Sequence, residues 1–159
     1  MANMIYLTLK GKKQGIISAG CSTIESIGNK SQIGREDQIF VIEFKGSITR
    51  EQHVTHHPID FIKPVDKSSP LLLIAISNNE ELTLEFDFYR TSQSGIQEKY
   101  YSILLTGASI VDYSKRYPHS INHAGAQPEE LLSVIYANIT ERHHVAGTSG
   151  YSIREQQVY

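Results

Sequence analysis

The 159 residues predict a mainly β protein, an antiparallel β-barrel with one short α-helix at about Pro70 to Asn78. Three observations predict it. Apolar and polar side chains alternate at a period of two in several separate segments, the mark of half-buried strands. In the longest of these the inward parity changes at Gly107, where an extra residue in a β-bulge would restore the inward face and curve the sheet toward closure. A single apolar hexapeptide, residues 71–76, carries helix-capping residues on both sides.

The elements follow in chain order. Ile5, Leu7 and Leu9 alternate with Tyr6 and Thr8 in a first strand. Residues 39–44 are β-branched and aromatic with apolar side chains on both faces, hence a strand covered on both sides. Residues 45–58 read as an irregular piece, longer than a simple hairpin turn requires and of a length at which loops are often functional. A short strand over 59–63 stops at Pro64. Ser69 is placed to cap a helix, Pro70 fits its first position, and Asn78 or Asn79 can end it. That grammar favours helix over the rival buried strand, and a helix apolar on nearly every face is expected to be largely buried.

Leu82, Leu84, Phe86 and Phe88 point one way and Thr83, Glu85 and Asp87 the other, in the clearest strand of the chain. The turn Ser92-Gln93-Ser94-Gly95 makes residues 98–112 its hairpin partner. Within that partner Tyr101, Ile103 and Leu105 sit on odd positions, and Ala108 and Ile110 on even ones. Residues 113–128 read as irregular. A long last strand spans 130–144, with Leu132, Val134 and Tyr136 on one face and Ile135, Ala137 and Ile139 on the other. The tail from Val145 reads as irregular.

Composition bounds the function. The length suits one domain, residues 1–159, and 40% apolar with 20% charged residues is a soluble globular mix. A formal charge of −2 disfavours a nucleic-acid partner. The longest apolar run is far too short for membrane insertion. Cys21 stands alone, which suits folding in a reducing compartment without disulfides. The start has no secretory signal pattern, so synthesis in the cytoplasm is expected, with export by a route that ignores N-terminal signals.

Chemical motifs are sparse. His53, His56 and His57 form an H-x-x-H-H cluster to which His143 or His144 could add a ligand, but zinc needs three or four converging ligands. No H-E-x-x-H occurs, and neighbouring His143 and His144 would face opposite sides of a strand. The cluster therefore reads as solvated or interface histidines, with no metal expected. There is no G-x-S-x-G, no phosphate-cradling glycine loop and no base beside Cys21. Lys10, Lys12 and Lys13 read as a solvated turn, and Glu129 and Glu130 carry no sign of a carboxylate pair. No catalytic residue and no cofactor are assigned.

Several segments agree in order and register with one family. Met4-Ile5-Tyr6-Leu7, His56-His57-Pro58-Ile59, Asp66-Lys67-Ser68-Ser69-Pro70-Leu71-Leu72, residues 82–90, Gln97-Glu98-Lys99-Tyr100-Tyr101 and residues 105–111 resemble the Hcp proteins, the haemolysin-coregulated proteins of type VI secretion. Related sequences carry tryptophans where this chain has Glu141 and Arg154. The resemblance implies a barrel that assembles as a homo-hexameric ring. Rings would stack into the inner tube that a contractile sheath drives outward, with a VgrG-type spike at its tip and small effectors in its lumen. No C-terminal toxin extension is expected. In the family an extended loop between early strands reaches the next ring. The resemblance therefore implies a ring-stacking contact at Gln52, His53, Val54, Thr55 and His56, with Ser94, Gly95 and Val158 on the opposite face. Histidines at that junction would be charged by acid and weaken stacking.

Two other readings stay open at this point. One is a monomeric β-barrel module whose exposed tyrosines hold a carbohydrate or a peptide. The other is a metal-dependent hydrolase built on the histidine cluster. Mass in solution separates the first from a ring, and elemental analysis separates the second.

Overall fold

A computed structural model of the chain describes residues 3–154. Val158, one of the expected stacking residues, lies outside the described residues. The strands are β1 (Met4–Gly11), β2 (Gly15–Ile16), β3 (Ile39–Val41), β4 (Glu43–Lys45), β5 (Ile48–Arg50), β6 (Val54–His56), β7 (Ile59–Pro64), β8 (Leu82–Thr91), β9 (Gln97–Arg116), β10 (Glu129–Ile135), β11 (Asn138–His143) and β12 (Thr148–Ile153). Helices α1 (Ile24–Ile27) and α2 (Ser69–Ser77) complete them, with a 3-10 turn over Gly28–Lys30. The mainly β, antiparallel expectation holds.

The pairing order runs β1-β8-β9-β10-β7-β4, and β3, one residue before β4, pairs back onto β1. The ladder thus returns on itself through Ile42, whose N–H donates to the Ile62 carbonyl at 2.7 Å. The expected single strand over 39–44 is therefore two strands that serve two neighbours. The break lets Ile39 and Val41 face the core before it, and Phe44 after it. Phe44 and Phe61 both meet Phe86 edge to face, at 4.9 and 5.3 Å between ring centres.

The bulge lies where parity placed it. Leu82 pairs with Ala108 and Leu84 with Leu105, so Thr83 alone faces both Thr106 and Gly107. Leu105 and Ala108 are both fully buried as a result. The long last strand, by contrast, is broken at Tyr136 and Ala137. Its first half, β10, pairs with the far end of β9 and with β7; its second half, β11, pairs with the near end of β9 and with β12. The break turns Ile139 inward, onto the same side as Leu132, Val134 and Tyr136 rather than the opposite one.

Five further expectations are corrected. Residues 45–58 are not irregular throughout, because β5 and β6 form a two-stranded arm of their own. The tail contains β12, and β9 runs on to Arg116. Helix α2 starts one residue early, at Ser69. Its cap position is Ser68, which satisfies Asp66 rather than the helix end. Leu72 and Ala75 are buried, but Leu73 and Ile74 are exposed, so the helix is covered on one side only.

Candidate assembly surfaces

The arm carries most of the expected contact residues. Glu51 N–H donates to the His53 carbonyl at its tip, and Gln52, His53 and Thr55 are exposed while Val54 is half-buried. His56 differs. It is 7% exposed, with Nδ1 2.9 Å from the Tyr136 hydroxyl and Nε2 3.0 Å from the Ser152 hydroxyl. Burial first, and then the Arg154 guanidinium, hold this imidazole below its ordinary value. Its side chain serves the root of the arm rather than its surface. His57 turns instead to the Thr49 hydroxyl, at 2.9 Å. The His56 and His57 rings therefore turn to different partners while His53 is exposed at the tip, and among the described residues no group of three metal-ligating side chains converges.

Ser94 and Gly95 lie apart from the arm, on the exposed turn that joins β8 to β9. Ser92 and Ser94 share a hydroxyl hydrogen bond at 2.8 Å, and Gly95 takes φ +83°, a backbone conformation that suits glycine. Between the arm root and the main sheet is a cleft of about 310 Å³, lined by Phe44, Ile48, Ile103, Tyr136, Ile139 and Glu141 among others. Glu141 accepts the Tyr101 hydroxyl, and that bond together with burial pushes the phenol up to about 12.

Apolar side chains also face outward from well-formed elements. They include Leu73 and Ile74 on α2, Leu131 on β10, and Tyr151 and Ile153 on β12. Tyr151 is 74% exposed, on a strand that among the described residues pairs only with β11.

One constellation escaped the sequence reading. Lys63 is fully buried, with Nζ 2.5 Å from Glu130 Oε1 and 3.0 Å from Asp66 Oδ1. Glu130 also accepts from Ser69 Oγ at 2.6 Å, Tyr113 Oη at 2.6 Å and Lys115 Nζ at 2.8 Å. The signal was present. Lys63 shares its parity with Ile59 and Phe61, and Glu130 with Leu132 and Val134, so alternation alone aims both charges inward. The network pins the start of α2 to β7, β9 and β10.

The family described as "Type VI secretion system effector, Hcp" matches residues 6–143. The chain is 40% identical to the "Major exported protein" of Pseudomonas aeruginosa, over 94% of each. It is also 40% identical to the uncharacterized protein YhhZ of Escherichia coli, covering 93% of this chain but 37% of that longer protein. Among solved structures, the secreted protein Hcp3 from Pseudomonas aeruginosa superposes with a TM-score of 0.88 at 38% identity, over 98% of this chain and 100% of that one. A match that runs from β1 through β11, with the fold reproduced over nearly every described residue, places the chain in the Hcp family of type VI secretion proteins.

Proposed function

We propose that the chain is a structural subunit of the inner tube of a type VI secretion system. Six copies close a ring, rings stack, and a contractile sheath drives the stack out with a VgrG-type spike, carrying or chaperoning small effectors in the lumen. The observation that carries this reading is the match over 94% of both chains to an exported protein of the same family. The outward apolar residues support it, because a head-to-tail ring needs two complementary apolar walls on each copy. The arm supports it too: a two-stranded projection with Gln52, His53, Val54 and Thr55 on it suits a contact between rings. Ser94, Gly95 and Val158 remain the candidates for the opposite ring face, and His56 holds the arm in place.

On this reading the protein is not an enzyme, is made in the cytoplasm and leaves the cell through the apparatus it helps to build. Negative-stain electron microscopy of purified protein, with sedimentation over a range of concentrations, tests it. Rings with a central hole are expected. Small featureless particles that stay monomeric at every concentration would refute it.

A further inference from the structure

The arm is joined to the main body in an unusual way. β5 and β6 form a sheet of their own, carried by the flanking strands β4 and β7. At its root one buried imidazole reaches two other elements: Tyr136 in the break between β10 and β11, and Ser152 on β12. The His56 and Tyr136 rings also meet edge to face, with centres 5.4 Å apart. The charged and titratable groups around this ring are the Tyr136 phenol, Arg154 just after β12, and Glu141, which shares the adjoining cleft with Tyr136. His57, the next residue, turns to Thr49 within the arm.

A neutral imidazole donates one N–H and accepts at its other nitrogen, so one of the two hydroxyls donates a hydrogen bond to it and the other accepts one. An imidazolium donates at both nitrogens. The hydroxyl that had donated must then accept, and its own proton loses the imidazole as a partner inside a buried site. The new positive charge also sits beside the Arg154 guanidinium. Each change raises the free energy of the seated arm and leaves a released, solvated arm unaffected.

We propose that His56 is a proton-operated clamp: protonation unseats the β5–β6 arm from Tyr136 and β12, and so withdraws the contact surface that the arm presents. The cleft beneath the root, bounded by Gly46, Ser47 and Ile48 on the arm side, gives the arm room to shift. The sign follows from the depressed value of the seated imidazole. The seated state is favoured above the ordinary histidine range and loses that advantage as pH falls through it. The consequence for stacking rests on the tube reading above; the movement of the arm does not.

Hydrogen exchange of the whole chain, read by mass spectrometry at about pH 7.5 and about pH 5, tests the clamp across the range in which histidine titrates. After correction for intrinsic rates, exchange over residues 48–56 should rise several-fold in acid while the β8–β9 hairpin stays protected. His56→Gln should abolish the rise, since an amide can bond both hydroxyls without titrating. His53→Gln should leave it in place, which separates the buried clamp from repulsion between exposed histidines. Equal protection of the wild-type arm at both pH values overturns the proposal, and so does a rise that survives His56→Gln. Should His56→Gln lose its fold by circular dichroism, Tyr136→Phe decides: the arm should already exchange faster at about pH 7.5, and an unchanged arm overturns the clamp. Sedimentation under the same two conditions reads the tube separately. Stacks that shorten as the arm loosens support both readings; stacks that persist while the arm loosens support the clamp and count against the arm as ring contact.

Discussion

Lys63 is an ammonium at a position built for a hydrocarbon. Its strand neighbours of the same parity, Ile59 and Phe61, lie in the core, and its own side chain has no exposed surface. Taking such a charge out of water costs several kcal/mol, so its partners must be close and numerous. They are Glu130, Asp66, the Pro64 carbonyl at 2.9 Å and Ser69 Oγ at 3.3 Å. Burial alone would raise the Glu130 carboxyl, but hydrogen bonds from Lys115, Lys63, Ser69 and Tyr113 outweigh it and bring the group down to about 2. A carboxyl depressed in the folded state contributes stability that is present above its ordinary value of 4.5 and is lost as pH falls from there toward 2. Glu130→Gln leaves the Lys63 charge without its nearest counter-ion, and should cost about 3–5 kcal/mol in urea unfolding at neutral pH. The variant's stability should also decline less steeply than the parent's over that acid range. A parent and variant with the same unfolding midpoint would show that the network contributes nothing.

Gly107 and Ala137 form a single corner in which two elements bend together. Gly107 takes φ +59° in the β9 bulge, and a Cβ built on it would lie 2.8 Å from the Ala137 Cβ, closer than side-chain carbons approach. The Ala137 N–H donates to the Thr106 carbonyl at 3.0 Å, so the bulge fixes the break between β10 and β11. Gly107→Val should cost more than about 1–3 kcal/mol, the strain of a left-handed branched residue alone, because the clash at Ala137 adds to it. Thermal unfolding measures this, and a melting temperature like the parent's would mean that the corner yields freely. The bulge was legible because it moves buried side chains from odd to even positions. The break at 136–137 was not, since Tyr136 and Ile139 are both apolar and either phase of the strand looked acceptable. The arm and β12 were illegible for the opposite reason. Ile48 to Arg50 are exposed on both faces, and so is Thr148 to Ile153 apart from half-buried Ser152, so no alternation marks them. The apolar run of α2 announced burial, yet Leu73 and Ile74 stay exposed among the described residues. At the candidate site, the family resemblance located the contact segment, but only the fold shows it as a two-stranded arm and separates inward His56 from outward His53.

The molecule as a whole presents two kinds of outward surface, and they suit different contacts. Leu73, Ile74, Leu131, Tyr151 and Ile153 are apolar and sit on regular elements packed around the core, whereas the arm exposes Arg50, Glu51, Gln52, His53 and Thr55. Burying a fully exposed apolar side chain of this size is worth about 1.5–3 kcal/mol, and even the part still exposed here favours these walls over the arm for closing the ring of the tube reading. Polar arm residues gain less from burial but give direction, and they lie on a two-stranded sheet separate from the main one. Ring closure and ring stacking should therefore be separable. Replacing residues 49–55 by a short turn, with His56 retained, should leave the melting temperature close to the parent's, since the core does not include them. Rings should still appear in electron micrographs, but stacked side views should vanish. A charge placed on a wall, as in Leu73→Glu, Leu131→Glu or Tyr151→Glu, should remove rings altogether where that wall is the one a neighbour covers; one of the three must do so for apolar walls to be what closes the ring. Sedimentation velocity distinguishes single copies, single rings and stacks in one experiment. Loss of rings on shortening the arm would show that the arm binds neighbours within a ring, and the division between wall and arm would have to be redrawn.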